Sequence, residues 1–215
     1  MADIFDEVSE ELRQDQLKKI WQKYNKFIFL IIFILFLSVG GFKFYESWKK
    51  KNDLNNSNLF YMALSNLEEK KYEKAESQLK RLTLENGTKF KILSLFALAD
   101  LSKKMNDLNS MENYYQLIIE EKNFDVFYQN LAVILLTQNS KKMSNKEKIK
   151  KLESILTSPS LLQPLASELE IIYLFNANKN DEAIKKLDNL LNRSNLDQSQ
   201  KNRLNIIKEI YKKSD

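Results

Sequence analysis

Ala63, Tyr72, Ala75, Leu79 and Leu82 recur thirty-six residues later as Ala99, Leu108, Met111, Tyr115 and Ile118. A frame that returns at this distance marks stacked units, each burying one face against the next. Inside the frame the apolar residues fall three and four apart, the spacing of one helix face. Residues 59–82 read as two helices around Lys70 and Lys71, and residues 104–111 supply the corresponding break one unit later. A third unit is looser: 124–137 reads as a strong helix, and 146–156 offers Ile149, Leu152, Ile155 and Leu156. A fourth covers 164–191, where the polar break 178–183 precedes Ile184, Leu187 and Leu190. Pro164 suits the first turn of a helix, where its missing N–H costs nothing. Ala75 and Ala183 stand three periods apart, while the register within the third and fourth units stays open. A last helix over 198–213 is expected to cap the array.

Composition supports an all-α reading. Three glycines and two prolines in 215 residues leave few positions for positive-φ turns, and sheet-rich folds become unfavourable. The chain has no cysteine and no histidine, which excludes disulfides, thiolate and imidazole chemistry and nearly every zinc site. A net charge of +5 spread over 34 basic and 29 acidic residues predicts a mixed, solvated surface without a concentrated basic patch. Lysine outnumbers arginine 30 to 4, whereas base and phosphate readers favour the guanidinium fork, so no nucleic-acid partner is expected.

Residues 27–42 carry no charge, and thirteen of the sixteen are Phe, Ile, Leu or Val. Their summed insertion free energy is about −4 to −8 kcal/mol, which predicts a transmembrane helix over 27–45. Tyr24, Lys26, Lys43 and Tyr45 would mark its ends, the lysines snorkelling and the tyrosines resting at headgroup level. A cleaved signal peptide fits less well, because 26 residues with six acids precede the apolar run. Arg13, Lys18, Lys19, Lys23 and Lys26 outnumber Lys43, Lys49, Lys50 and Lys51, a bias toward a cytoplasmic N-terminus. The expected order is an amphipathic cytoplasmic tail over 1–26, the span over 27–45, a linker over 46–56 and a translocated repeat domain over 57–215. The sequon Asn86-Gly87-Thr88 would matter only in a eukaryotic secretory setting, and Gly87 more naturally serves a turn.

The repeated unit resembles the tetratricopeptide repeat, a helical hairpin with small residues where its helices touch and an aromatic just before the second helix. Ala63, Ala75, Ala99 and Ala183 take the small positions and Tyr72 the aromatic one, while Met111 departs from the pattern. The resemblance implies a solenoid whose first helices line a peptide groove, with Phe60, Leu64, Leu67, Leu93, Phe96, Asp100, Lys103 and Lys104 as its candidates. Phe124, Phe127 and Tyr128 are open to either core or interface roles.

The Met-Ala-Asp-Ile-Phe-Asp-Glu-Val opening, the acidic then basic tail, the single span and the degenerate repeats together resemble the YfgM-type ancillary subunit of the bacterial Sec translocon, alphaproteobacterial versions above all. That resemblance implies an inner-membrane protein with a periplasmic domain, partnered by a SecYEG-type channel and a PpiD-type periplasmic chaperone and handing on translocated client proteins. It implies no cofactor, no metal and no catalysis. The alternative is a structural scaffold for envelope assembly or division. Carboxylate pairs such as Glu68/Glu69 and Glu120/Glu121 point about 100° apart on a helix and read as solvated faces.

Overall fold

The computed structural model describes residues 2–84, 88–193 and 196–212, and within the first forty residues the side chains of Lys18, Trp21, Lys23, Lys26, Ile34, Leu37 and Ser38. Every described element is a helix: α1 (Ala2–Glu68), α2 (Tyr72–Thr83), α3 (Thr88–Lys104), α4 (Leu108–Glu120), α5 (Val126–Asn139), α6 (Asn145–Thr157), α7 (Gln163–Asn176), α8 (Asn180–Leu191) and α9 (Gln198–Lys212). Two compact units result, Met1–Asn55 and Asn56–Asp215.

In the first unit the backbone is helical from Ala2 onward. Residues 46–56, expected as a linker, belong to α1, because neither glycine nor proline occurs between Gly41 and Gly87 to break it. Residues 27–42 are helical too, with most of their side chains outside the described residues. Among the described residues no helix is long and apolar enough to cross a membrane.

The second unit is a run of helical hairpins. The end of α1 from Asn56 pairs with α2 through Ala63 and Leu79 and through the Asn66 amide, which donates to Gln78 at 2.8 Å; α3 pairs with α4, α5 with α6 and α7 with α8, and α9 closes the series. Four apolar clusters follow one another along it. Ala63, Leu79 and Leu98 form one; Ile92, Leu95, Ala99, Met111, Tyr115 and Ile118 belong to the next. Val133, Ile134, Leu152, Ile155 and Ala166 come third, then Ile171, Leu174, Ala183, Leu187 and Leu204. Each fully buried Leu or Ile contributes about 1.5–3 kcal/mol, so the clusters are what hold the hairpins to one another.

Three hairpin turns are identical in bonding. Lys70, Asn106 and Asn178 take φ near +60°. The following N–H groups of Lys71, Asp107 and Lys179 donate to the carbonyls of Asn66, Ser102 and Leu174 at 2.8, 2.8 and 3.0 Å. This is the Schellman closure of a helix C-terminus, made here without glycine. In these three turns the residue that closes the first helix also opens the second, and the third hairpin opens at Ser144. Lys71, Asp107, Ser144 and Lys179 accept from the N–H of Ala75, Met111, Lys148 and Ala183.

The fourth turn, in the third hairpin, is built differently. Helix α5 stops early at Ser140, whose hydroxyl oxygen accepts from the N–H of Lys142 and Met143 at 3.3 and 3.2 Å. Ser144 and Glu147 then form a reciprocal capping box at the start of α6. The helix-opening residues thus stand at 71, 107, 144 and 179. The third hairpin is displaced by one residue and the fourth returns to frame, so the three-period spacing of Ala75 and Ala183 is structural.

Helix α9 is fastened by polar as well as apolar contacts. Arg203 donates from Nε and Nη2 to the two carboxylate oxygens of Glu168, both at 2.9 Å, and Glu168 is buried. Tyr211 stacks on Phe175 with ring centroids 4.3 Å apart, and its hydroxyl donates to Asn176 at 2.9 Å.

Candidate functional surfaces

The residues expected to line a groove divide by environment. Phe60 and Leu67 pack onto the first apolar cluster, Phe60 also meeting the Phe90 ring at 6.2 Å. Phe96 packs beside Tyr115, centroids 6.4 Å apart, and Leu64 is half-buried. Leu93, Asp100, Lys103 and Lys104 are exposed. Asp100 and Lys104 pair at 2.8 Å along one turn of α3, and that bond raises the Lys104 ammonium above its usual range. Of the expected membrane-anchor ends, Lys26, Lys43 and Tyr45 are exposed and Tyr24 lies outside the described residues, as do Asn86 and Gly87.

Leu93 leads to a surface the sequence left undecided. An open cleft of about 420 Å³ lies between the first turns of α3 and the connector from α4 to α5, with Lys89, Ile92, Leu93, Asn123, Phe124 and Tyr128 on its walls. Phe124 is buried and forms its floor, while Phe127 and Tyr128 remain more than a third exposed, in edge-to-face contact at 5.4 Å. Three interactions make the connector rigid. Lys91 bridges to Glu121 at 2.6 Å, Gln129 donates to the Glu121 carbonyl at 2.8 Å, and the Asp125 carboxylate caps α5 through the Phe127 N–H at 2.8 Å. The bond from Lys91 holds the Glu121 carboxyl below its usual 4.5. A stiff, mostly apolar trough with aromatic edges suits a side-chain anchor on a partner polypeptide.

A second cleft corrects the expectation of an evenly mixed surface. It lies between the turns of the second and third hairpins, occupies about 570 Å³, and is walled by Lys103, Asn106, Leu108, Gln138, Lys141 and Lys148 among others. Residues 138–151 hold six lysines against one glutamate, a surplus as large as the +5 of the whole chain. Totals over 215 residues hid this concentration.

No group of three or more histidine, cysteine, aspartate or glutamate side chains able to hold a metal occurs among the described residues. Burial raises the Tyr115 and Tyr173 phenols, which keeps them neutral packing groups. What these surfaces offer is shape, apolar anchors and charge.

No curated protein and no solved structure matches the chain. The family model of the tetratricopeptide repeat-like domain matches residues 18–201. With hairpins repeating through the described second unit, and with most of its length matched, this chain belongs to the tetratricopeptide repeat-like domain family.

Proposed function

We propose that this chain is a membrane-anchored protein–protein interaction adaptor of the bacterial inner membrane, associated with a SecYEG-type channel. In this reading residues 1–26 lie in the cytoplasm, 27–45 span the bilayer, and the repeats stand in the periplasm. There, beside a PpiD-type chaperone, they pass on newly translocated proteins without any chemistry of their own. The observation that carries the adaptor role is the open cleft at Leu93, Phe124 and Tyr128, a surface whose aromatic edges stay exposed although the hairpins around it are fully packed. The apolar run 27–42 supports the anchor, and the charge bias of its flanks supports the orientation.

The test joins topology to partner capture. A reporter active only outside the cytoplasm, fused after Asp215, is expected to be active, with the intact chain in the membrane fraction. Gentle solubilisation is then expected to bring channel subunits down with it. An internal C-terminus removes the periplasmic reading. Recovery of division or outer-membrane assembly factors alone would move the protein to an envelope scaffold.

A further inference from the structure

We propose that the basic cleft between the turns of the second and third hairpins docks an acidic, extended segment of a partner polypeptide; this rests on the adaptor reading and names the chemistry of one of its contacts. Four observations carry it. First, among the described residues Lys103, Lys141 and Lys148 have no carboxylate partner. The nearby acids are already engaged. Asp100 pairs with Lys104 at 2.8 Å, Asp107 accepts from the Ser110 N–H at 3.1 Å, and Glu112 accepts from the Ser140 hydroxyl at 2.6 Å. None of these carboxylates is in ion-pair contact with Lys103, Lys141 or Lys148, so the three ammonium groups are left without a contact counter-ion.

Second, Lys148 stands where the other three hairpins bury Ala75, Met111 and Ala183 completely, as its matching hydrogen bond to the helix-opening residue shows. A lysine at a packing position keeps its stem against neighbouring apolar surface and brings its ammonium to the rim, here 5.3 Å over the Tyr173 ring. Third, this hairpin alone replaces the left-handed closure with the Ser140 turn, which leaves Lys141 and Lys142 exposed beside the cleft. Lys142 reaches across to the Asn109 side chain and ties the two turns together.

Fourth, the remaining wall identifies the kind of anion. Asn106 and Gln138 carry amides, which donate and accept together, and an extended backbone presents both needs in alternation. An anionic bilayer is a poorer fit, because Met143 and Ile149, the apolar residues of the lysine-rich turn, are half-buried and offer no wedge. Nucleic acid fits worse still: among the described residues the only ring at these lysines is Tyr173, which is buried and cannot stack on a base.

The test uses the full chain in a non-ionic detergent and a short fluorescent peptide rich in aspartate and glutamate. Its control is the same peptide with asparagine and glutamine in their place. Binding at low salt is expected for the acidic peptide only. The combined variant Lys103→Glu, Lys141→Glu, Lys148→Met should weaken it at least about tenfold, the sum of three modest surface pairs. Methionine is chosen at 148 because Met111 fills the matching position, and an unchanged helical circular dichroism spectrum certifies the fold. Equal binding of both peptides, indifference to the substitutions, or substitution-sensitive binding to phosphatidylglycerol vesicles in place of the peptide overturns the proposal. Should peptide binding fail while the unmodified chain still captures channel subunits, the cleft assignment falls and the adaptor reading stands. Should the peptide bind but no membrane partner be captured, the reverse holds.

Discussion

Lys70 sits at φ 59°, where its Cβ crowds the backbone in a way glycine avoids. Its N–H and that of Lys71 nevertheless satisfy two carbonyls at the end of α1, so the local strain is outweighed by the bonds it permits. Lys70→Gly is therefore expected to stabilise the repeat unit by about 0.5–1 kcal/mol, the relief of that strain less the entropy glycine adds to the unfolded chain. A thermal melt should rise by about 2–4 °C. Asn106→Gly should gain less, since asparagine tolerates this region better than lysine does. No change in either melt would mean the left-handed turn is not strained.

Individual helices are coupled by charge where periodicity gave no sign of it. Glu121 ties α3 to the connector before α5 through Lys91, and its folded-state pKa is depressed by that bond. A depressed carboxylate adds stability above its ordinary 4.5, and the contribution disappears as pH falls through that value toward the folded one. Denaturant melts across this acid range should lose part of their slope in Glu121→Gln. At the other end, Arg203→Ala would leave the buried Glu168 carboxylate without its fork and should cost about 1–3 kcal/mol. Hydrogen exchange should place that loss in α9. Sequence reading located the hairpins because Ala75, Leu79 and Leu82 repeat at a fixed interval, and local spacing is what a sequence displays. It could not see the Glu168–Arg203 pair, since two charged residues 35 apart look like solvated surface until the fold joins them. For a related reason helical period fixes which side of a helix Phe60, Leu67 and Phe96 occupy but not which neighbour that side meets, and the fold sets Phe60 and Leu67 against the first apolar cluster and Phe96 beside Tyr115. Lys148 hid the register of the third hairpin by standing where a small residue was sought.

Across the second unit the principal helix contacts run between neighbours in sequence, so stability should be a chain of local terms. Leu187→Ala, at a fully buried position, is expected to cost about 2–4 kcal/mol and to raise amide exchange in α7, α8 and α9 while leaving α3 and α4 nearly unchanged. Exchange that rises uniformly would mean the hairpins unfold together. The displaced third hairpin also shows where the chain changes length. Ala63 and Ala75, Ala99 and Met111, and Ile171 and Ala183 are each twelve residues apart, whereas the helix-opening residues step by 36, then 37, then 35. The change of length lies inside the third hairpin: five residues, 140–144, join α5 to α6, where three residues form each of the other turns, and the connectors before α5 and α7 are equal at five. A hairpin turn can thus lengthen without disturbing the frame of the next unit, so a foreign peptide tag or a grafted loop belongs between the exposed Lys141 and Lys142, inside the turn where this chain has already accommodated a change of length.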